Sequence, residues 1–274
     1  MKLSIITVNL NNLEGLKKTY ESVVSQTFTD YEWLVIDGGS TDGSREFIEE
    51  HQDKFSYWCS EPDKGIYNAM NKGIVRAKGE YLNFMNSGDC FACEDTLAGV
   101  FGVSRTADIL YGYMMLRDIN GEPVSWRNMK EEINWYNLYY FSLHHQSSFI
   151  RREAFHEVGL YDEECRIVSD WKWFVKAFLT HGVSSEFLPY KIAIFQDNGI
   201  SRTDNIQFEK EQQRKTLFPK YLTDNDADSL YLKELIYSFR VTRFLYRVLI
   251  IVALKLDIRR RKRVKQHLST HFYE

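Results

Sequence analysis

The chain opens on an apolar, β-branched run, Leu3 to Val8, that breaks into the polar cluster Asn9-Leu10-Asn11-Asn12. Apolar residues then recur at helical spacing, at Leu13, Leu16, Tyr20 and Val23/Val24, which predicts a strand, a polar turn and a helix. The unit repeats at once. Tyr31 to Asp37 is a second apolar run; it stops on an aspartate, turns through Gly38-Gly39-Ser40-Thr41, and enters a helix that Asp42 caps and that reaches about His51. Phe55 to Cys59 predicts a third, short strand. Ile66 to Ala77 reads as a helix ended by Lys78-Gly79, and Glu80 to Met85 as a fourth strand closed by Asn86-Ser87-Gly88-Asp89. Strands alternating with helices predict an α/β fold with a mainly parallel sheet flanked by helices, its ligand site outside the carboxyl ends of the strands. Beyond residue 100 the pattern loosens. Ile109 to Arg117 and Glu122 to Trp126 predict strands around an Asn120-Gly121 turn, Gln146 to Ile150 another strand, and Asp170 to Leu179 an aromatic-rich helix.

A chain of 274 residues with 44% hydrophobic content can bury a large core, so composition sets no obstacle to this fold. The net charge of -3 excludes a general nucleic-acid binder, which needs a broad basic face. Cys59, Cys90, Cys93 and Cys165 supply one CxxC and no second pair at zinc-ribbon spacing, which predicts free thiols in a reducing compartment. Met1-Lys2 runs directly into a strand, without a signal-peptide pattern, and a cytoplasmic location is expected. The far end has another character. From Phe239 to Leu256 apolar blocks alternate with Arg240, Arg243, Arg247 and Lys255, and the basic run Arg259 to Lys265 follows. The uninterrupted apolar stretch, Val248 to Leu254, is far shorter than the roughly 20 residues that span a bilayer. It predicts a helix lying on an anionic membrane surface, with a helix packed on the protein or forming a homodimer contact as the competing reading.

Several segments carry a more specific signal through their order and spacing: Val8-Asn9-Leu10-Asn11, Ser25-Gln26-Thr27-Phe28, Val35 through Ser44, Ala69 through Ile74, Gly79 through Asp89, and Ser169-Asp170-Trp171. Together they resemble the inverting family 2 glycosyltransferases of GT-A fold, and within them bacterial transferases that build capsular polysaccharide, exopolysaccharide or lipopolysaccharide. The resemblance implies a GT-A domain over residues 1–220, with a nucleotide-sugar-binding half at 1–100 and an acceptor half at 101–220, followed by a helical, basic extension at 221–274. It also implies a nucleotide-diphospho-sugar donor, and a glycan or polyprenyl-diphosphate-linked acceptor at the inner face of the cell membrane.

Such chemistry needs the donor gripped, its diphosphate neutralised and an acceptor hydroxyl deprotonated. The resemblance assigns Asn9 and Asp37 to the base and ribose, with Leu10 where the family often carries tyrosine. Lys64, Asn71, Asn86 and Arg202 are assigned to the rest of the donor. Where the family carries an Asp-x-Asp cluster for Mg²⁺ or Mn²⁺, this chain has Asn86-Ser87-Gly88-Asp89, so Asp89 is the expected metal ligand. Asp170 is the expected catalytic base, with His145 and Trp171 on the acceptor side. Competing readings are a turn carboxylate for Asp37, a helix cap for Asp170, and solvated surface for Lys64. For the whole chain they are a nucleotidyltransferase on a related fold, or a non-catalytic nucleotide-sugar-binding or assembly subunit.

Overall fold

In the computed structural model, Leu3–Asn9 (β1), Leu13–Val24 (α1), Tyr31–Asp37 (β2), Ser44–Glu50 (α2), Tyr57–Ser60 (β3), Ile66–Arg76 (α3) and Tyr81–Phe84 (β4) follow one another as the sequence predicts. The structure describes residues 1–117, 123–127, 133, 135–196 and 205–217. The chain divides into two units, 1–218 and 219–274. The second unit lies outside the described residues, as do Arg202 and the Asn120-Gly121 turn.

β2 and β4 flank β1, and β3 flanks β2, all in parallel register, so Asn9 pairs with Asp37 and Asp37 with Ser60 along one carboxyl edge. Every residue of β1 is buried, which is why it reads as an unbroken apolar run rather than an alternating one. Leu3, Ile5, Trp33, Val35, Tyr81, Phe149 and Ile192 share one core. The turn into β4 is held from below by Glu32, a buried carboxylate that accepts the Ser4 hydroxyl at 2.6 Å and the amides of Lys78 and Gly79 at 2.5 and 3.2 Å. Gly79 is forced there, because a Cβ would stand 2.5 Å from the backbone of Leu3 and Ser4.

The rest of the sheet is mixed. After Cys90–Phe91 (β5), Thr96–Phe101 (α4), Ile109–Arg117 (β6), Pro123–Arg127 (β7) and Trp135–Tyr140 (α5) come Ser148–Arg151 (β8), Arg152–Val158 (α6), Ser169–Thr180 (α7), Ser185–Gln196 (β9) and Asn205–Leu217 (α8). The strand order is β3-β2-β1-β4-β8-β6-β9-β5, with β7 on β6. β8 joins the parallel half to the rest through two antiparallel pairs, Tyr81 with Arg151 and Leu82 with Ile150. Residues 145–147 form a 3-10 turn, so the strand expected from Gln146 begins only at Ser148. β9 escapes a reading by pattern because Pro189 interrupts it. The register against β6 slips between Tyr111 and Tyr113, where Gly112 lets Ile192 and the Tyr190 carbonyl approach to 2.6 and 2.7 Å of where a Cβ would be.

Candidate active site

Asp37, at the end of β2, is fully buried and accepts five hydrogen bonds. Asn9 Nδ2 (2.7 Å) and the Ser40 hydroxyl (2.5 Å) reach Oδ1, while the Gly39 amide (3.2 Å), the Ser40 amide (2.9 Å) and the Ser60 hydroxyl (2.6 Å) reach Oδ2. Burial works to raise its pKa, yet the Ser40, Ser60 and Asn9 bonds hold it below the usual carboxylate value. A carboxylate offers about four lone-pair sites, and these five bonds occupy them here. Through these bonds it fixes the turn 38–41 and ties the ends of β1, β2 and β3 together. Asn9 is likewise buried and spends its Nδ2 inside, but its Oδ1 has no partner. Leu10 lies on the exposed rim, and Leu10 Cδ1 and Asp63 Oδ2 converge on Gly38. Asp42 does not cap α2 in the expected way: the cap is Gly43, and Asp42 accepts the Leu13 and Ser44 amides, linking the starts of α1 and α2.

The segment after β4 is anchored by Thr19, whose hydroxyl lies 3.1 Å from the Asn86 carbonyl and 2.8 Å from that of Asp89. Burial pushes the Asp89 carboxyl up to about 7, against the opposing pull of His145 and a hydrogen bond from Gln146. Asn86 Oδ1 and Ser87 Oγ are buried and without partners. A desolvated carboxylate beside unsatisfied oxygens suits a hard divalent cation. Among the described residues there is no cluster of three His, Cys, Asp or Glu side chains for a metal. A cation held by Asp89 and Asn86 would therefore complete its shell with phosphate oxygens and water.

Asp170, in the first turn of α7, faces this segment through His145. His145 Nδ1 is 3.1 Å from Asp170 Oδ2, and His145 Nε2 is 3.2 Å from Asn86 Nδ2. Asp170 Oδ1 accepts the Trp171 amide at 2.8 Å and lies 3.1 Å from the Tyr67 hydroxyl, whose single proton is shared with the Ile167 carbonyl at 2.6 Å. The Asp170 side chain is 17% exposed. Burial alone works to raise its pKa, but His145, the Trp171 amide and Tyr67 outweigh it and hold the carboxyl below its ordinary value. The helix cap is Val168 and Ser169 is taken by the Asp162 amide, so Asp170 is not spent as a cap.

Other expected residues fall differently. Trp171 is buried, with its indole N–H donating to the Leu138 carbonyl at 2.6 Å. Asn71 is consumed as a clamp: it donates to the Tyr161 carbonyl and Glu163 and accepts the Tyr161 amide, which ties α3 to the segment leading into α7. Lys64 is exposed ahead of α3, and the Glu163 carboxyl is held below its usual value by hydrogen bonds from Asn71 and Asn68, with a smaller pull from Lys64. All four cysteines are free. Tyr67 escaped notice because a tyrosine at a helix start, between Ile66 and Asn68, carries no motif, and only the fold brings it to Asp170.

A parallel β-strand half with polar turns at its carboxyl edge, continued by a mixed half, is the arrangement of glycosyltransferases of GT-A fold. The family described as glycosyl transferase family 2 matches residues 4–159, and the chain belongs to it. An uncharacterized glycosyltransferase of Mycobacterium tuberculosis is 33% identical over 190 residues, covering 65% of this chain and 69% of that protein. A PGL/p-HBAD biosynthesis glycosyltransferase of Mycobacterium bovis is 28% identical, covering 73% and 79%. The fold is similar to that of S. aureus TarS, with 20% identity and a TM-score of 0.64 over 89% of this chain; the match spans less than half, 44%, of the TarS chain. It is also similar to a mannosyltransferase from Pyrobaculum calidifontis solved with GDP-Man and Mn²⁺, with 18% identity, a TM-score of 0.56, and coverage of 80% and 63%.

Proposed function

We propose that this glycosyltransferase moves a sugar, with inversion, from a nucleotide-diphospho-sugar to a hydroxyl of a glycan or polyprenyl-diphosphate-linked acceptor, in bacterial surface polysaccharide assembly. The carrying observation is the state of Asp170: a largely buried carboxylate held ionised by His145 and oriented at both oxygens. Asp170 takes the acceptor hydroxyl proton while that oxygen attacks the anomeric carbon. The bond from the anomeric carbon to the diphosphate oxygen breaks, and its electron pair leaves with the nucleoside diphosphate. A single displacement inverts the configuration.

The bound forms of two structural neighbours, TarS with UDP-GlcNAc and the mannosyltransferase with GDP-Man and Mn²⁺, support a nucleotide-sugar donor and a divalent cation. Asp89 and Asn86 would hold Mg²⁺ or Mn²⁺, which supplies charge to the leaving diphosphate. Lys64 and Arg202 are further donor contacts in this reading, and residues 221–274 seat the enzyme on the cytoplasmic face of an anionic membrane. Among the described residues no helix is long and apolar enough to cross a membrane.

The test is Asp170→Asn, which keeps the shape of the side chain but cannot take the proton. Transfer is expected to fall by roughly 10²- to 10⁴-fold with nucleotide binding preserved. Transfer at the wild-type rate removes Asp170 from the chemistry. Nucleotide-sugar binding without any turnover by the purified wild type favours the non-catalytic subunit.

A further inference from the structure

We infer that His145 is a positioning residue whose two ring nitrogens set, at once, the donor-side amide of Asn86 and the carboxylate of Asp170. The inference rests on the proposed role of Asp170 as base. The 3-10 turn carrying His145 is pinned to β4, because Asn83 Nδ2 donates to the carbonyls of Gln146 (3.0 Å) and Ser148 (2.9 Å). Its amino-terminal side is closed by the Ser148 hydroxyl on the His144 carbonyl at 2.8 Å. Phe84 stands edge-on to the ring at 6.5 Å and 85°, and the side chain is 14% exposed. Backbone and ring are both fixed.

The direction of the proton follows from the partners. An ionised carboxylate only accepts, so the contact to Asp170 Oδ2 places the hydrogen on Nδ1. In a neutral ring Nε2 then accepts, and Asn86 must present its N–H₂ to it. That orientation leaves Asn86 Oδ1, buried and without a partner, as the atom free for the donor or its cation. One imidazole therefore joins a group from the end of β4 to a group from α7. With the ring reversed or absent, the Asn86 amide is free to flip and Asp170 Oδ2 loses its hydrogen bond to the ring. Supporting partners of this kind are worth roughly 10- to 100-fold in affinity or activity.

Two substitutions separate the ends. In His145→Asn the carboxamide nitrogen falls close to the position of Nδ1, so the bond to Asp170 is retained and that to Asn86 lost. In His145→Gln the carboxamide reaches the position of Nε2, and the opposite holds. Calorimetry with UDP and GDP in Mg²⁺ should show roughly 10-fold weaker binding for His145→Asn and wild-type binding for His145→Gln. Turnover of UDP-N-acetylglucosamine or GDP-mannose at saturation should fall roughly 10- to 100-fold in His145→Gln and by less in His145→Asn, whose bond to Asp170 is kept. A long-range ¹H–¹⁵N spectrum of histidine-labelled protein should show the Nδ1–H tautomer for the signal that His145→Asn removes. Equal losses of binding and turnover in both variants, no loss in either, or the Nε2–H tautomer would overturn the inference. Wild-type turnover by Asp170→Asn would overturn the base reading itself, a result the His145 variants cannot produce. Failure of the wild type to bind any nucleoside diphosphate would overturn the donor reading and the inference with it.

Discussion

Asp89 and Asp170 are two aspartates a short distance apart in function but opposite in electrostatics. Burial raises one to about 7, while a hydrogen-bonded imidazole and a backbone amide hold the other below its usual range. For Asp89 the folded state holds its proton more tightly than the unfolded chain does. Stability from this group is therefore greatest at low pH, declines as pH rises through the interval from the ordinary carboxylate value to about 7, and is lost above it. Asp89→Asn removes the titration. Its melting temperature relative to wild type should rise between about pH 5 and about pH 8, and Mg²⁺ should stabilise the wild type at the higher pH more than the variant. A melting difference that does not change with pH would place Asp89 in a wetter setting. Asn86, Asp89, His145 and Asp170 were all legible as chemistry-bearing residues at strand and helix ends. Asp37 and Asn71 were legible as positions, while the hydrogen-bond networks that hold them were not, because the donors around a carboxylate or amide come together only once the chain has folded.

At the scale of elements, the turn from α3 into β4 concentrates the tightest backbone approach in the parallel half. Gly79 meets backbone atoms of Leu3 and Ser4, which have no rotamer to yield. Gly79→Ala should cost about 1–3 kcal/mol by overpacking, a fall of several degrees in melting temperature, while turnover per folded molecule at low temperature stays near wild type. Unchanged melting would mean that the strand edge shifts freely. The strands β1 to β4 were readable because buried parallel strands are continuous apolar runs and their helices carry a clear period. α4, α6 and β9 were not. Two are helices of six and seven residues, too short to show a period, and the third carries Pro189 and slips register at Gly112. Pairing with β6, not local pattern, makes that segment a strand.

For the whole molecule, charge is distributed unevenly along the sequence. Of 35 Lys and Arg, ten lie between Arg240 and Lys265 with Asp257 the only acid there, leaving 25 basic against 37 acidic residues elsewhere. With about 1 kcal/mol per basic residue near an anionic surface, the tail should bring the chain to phosphatidylserine vesicles and the remainder should not. Flotation of the full chain, but not of one ending at Phe218, is expected, with release at high salt. Equal flotation of both, or of neither, would move the tail to packing or dimerisation. The basic run is legible by counting; what it rests against is not, since an amphipathic pattern is the same for lipid and for protein.

The join between β4 and β8 has a consequence for descent. The turns proposed to meet the donor stand on one side of two antiparallel residue pairs, and the aspartate proposed to serve the acceptor stands on the other. Specific links across that join include the His145 ring, the Tyr67 hydroxyl, the Asn71 clamp and the Asn83 amide on the Gln146 and Ser148 carbonyls. A lineage that keeps those links is free to let residues 109–217 drift toward new acceptors while inheriting its nucleotide preference unchanged. Divergence in such a protein would thus run at two speeds along a single gene.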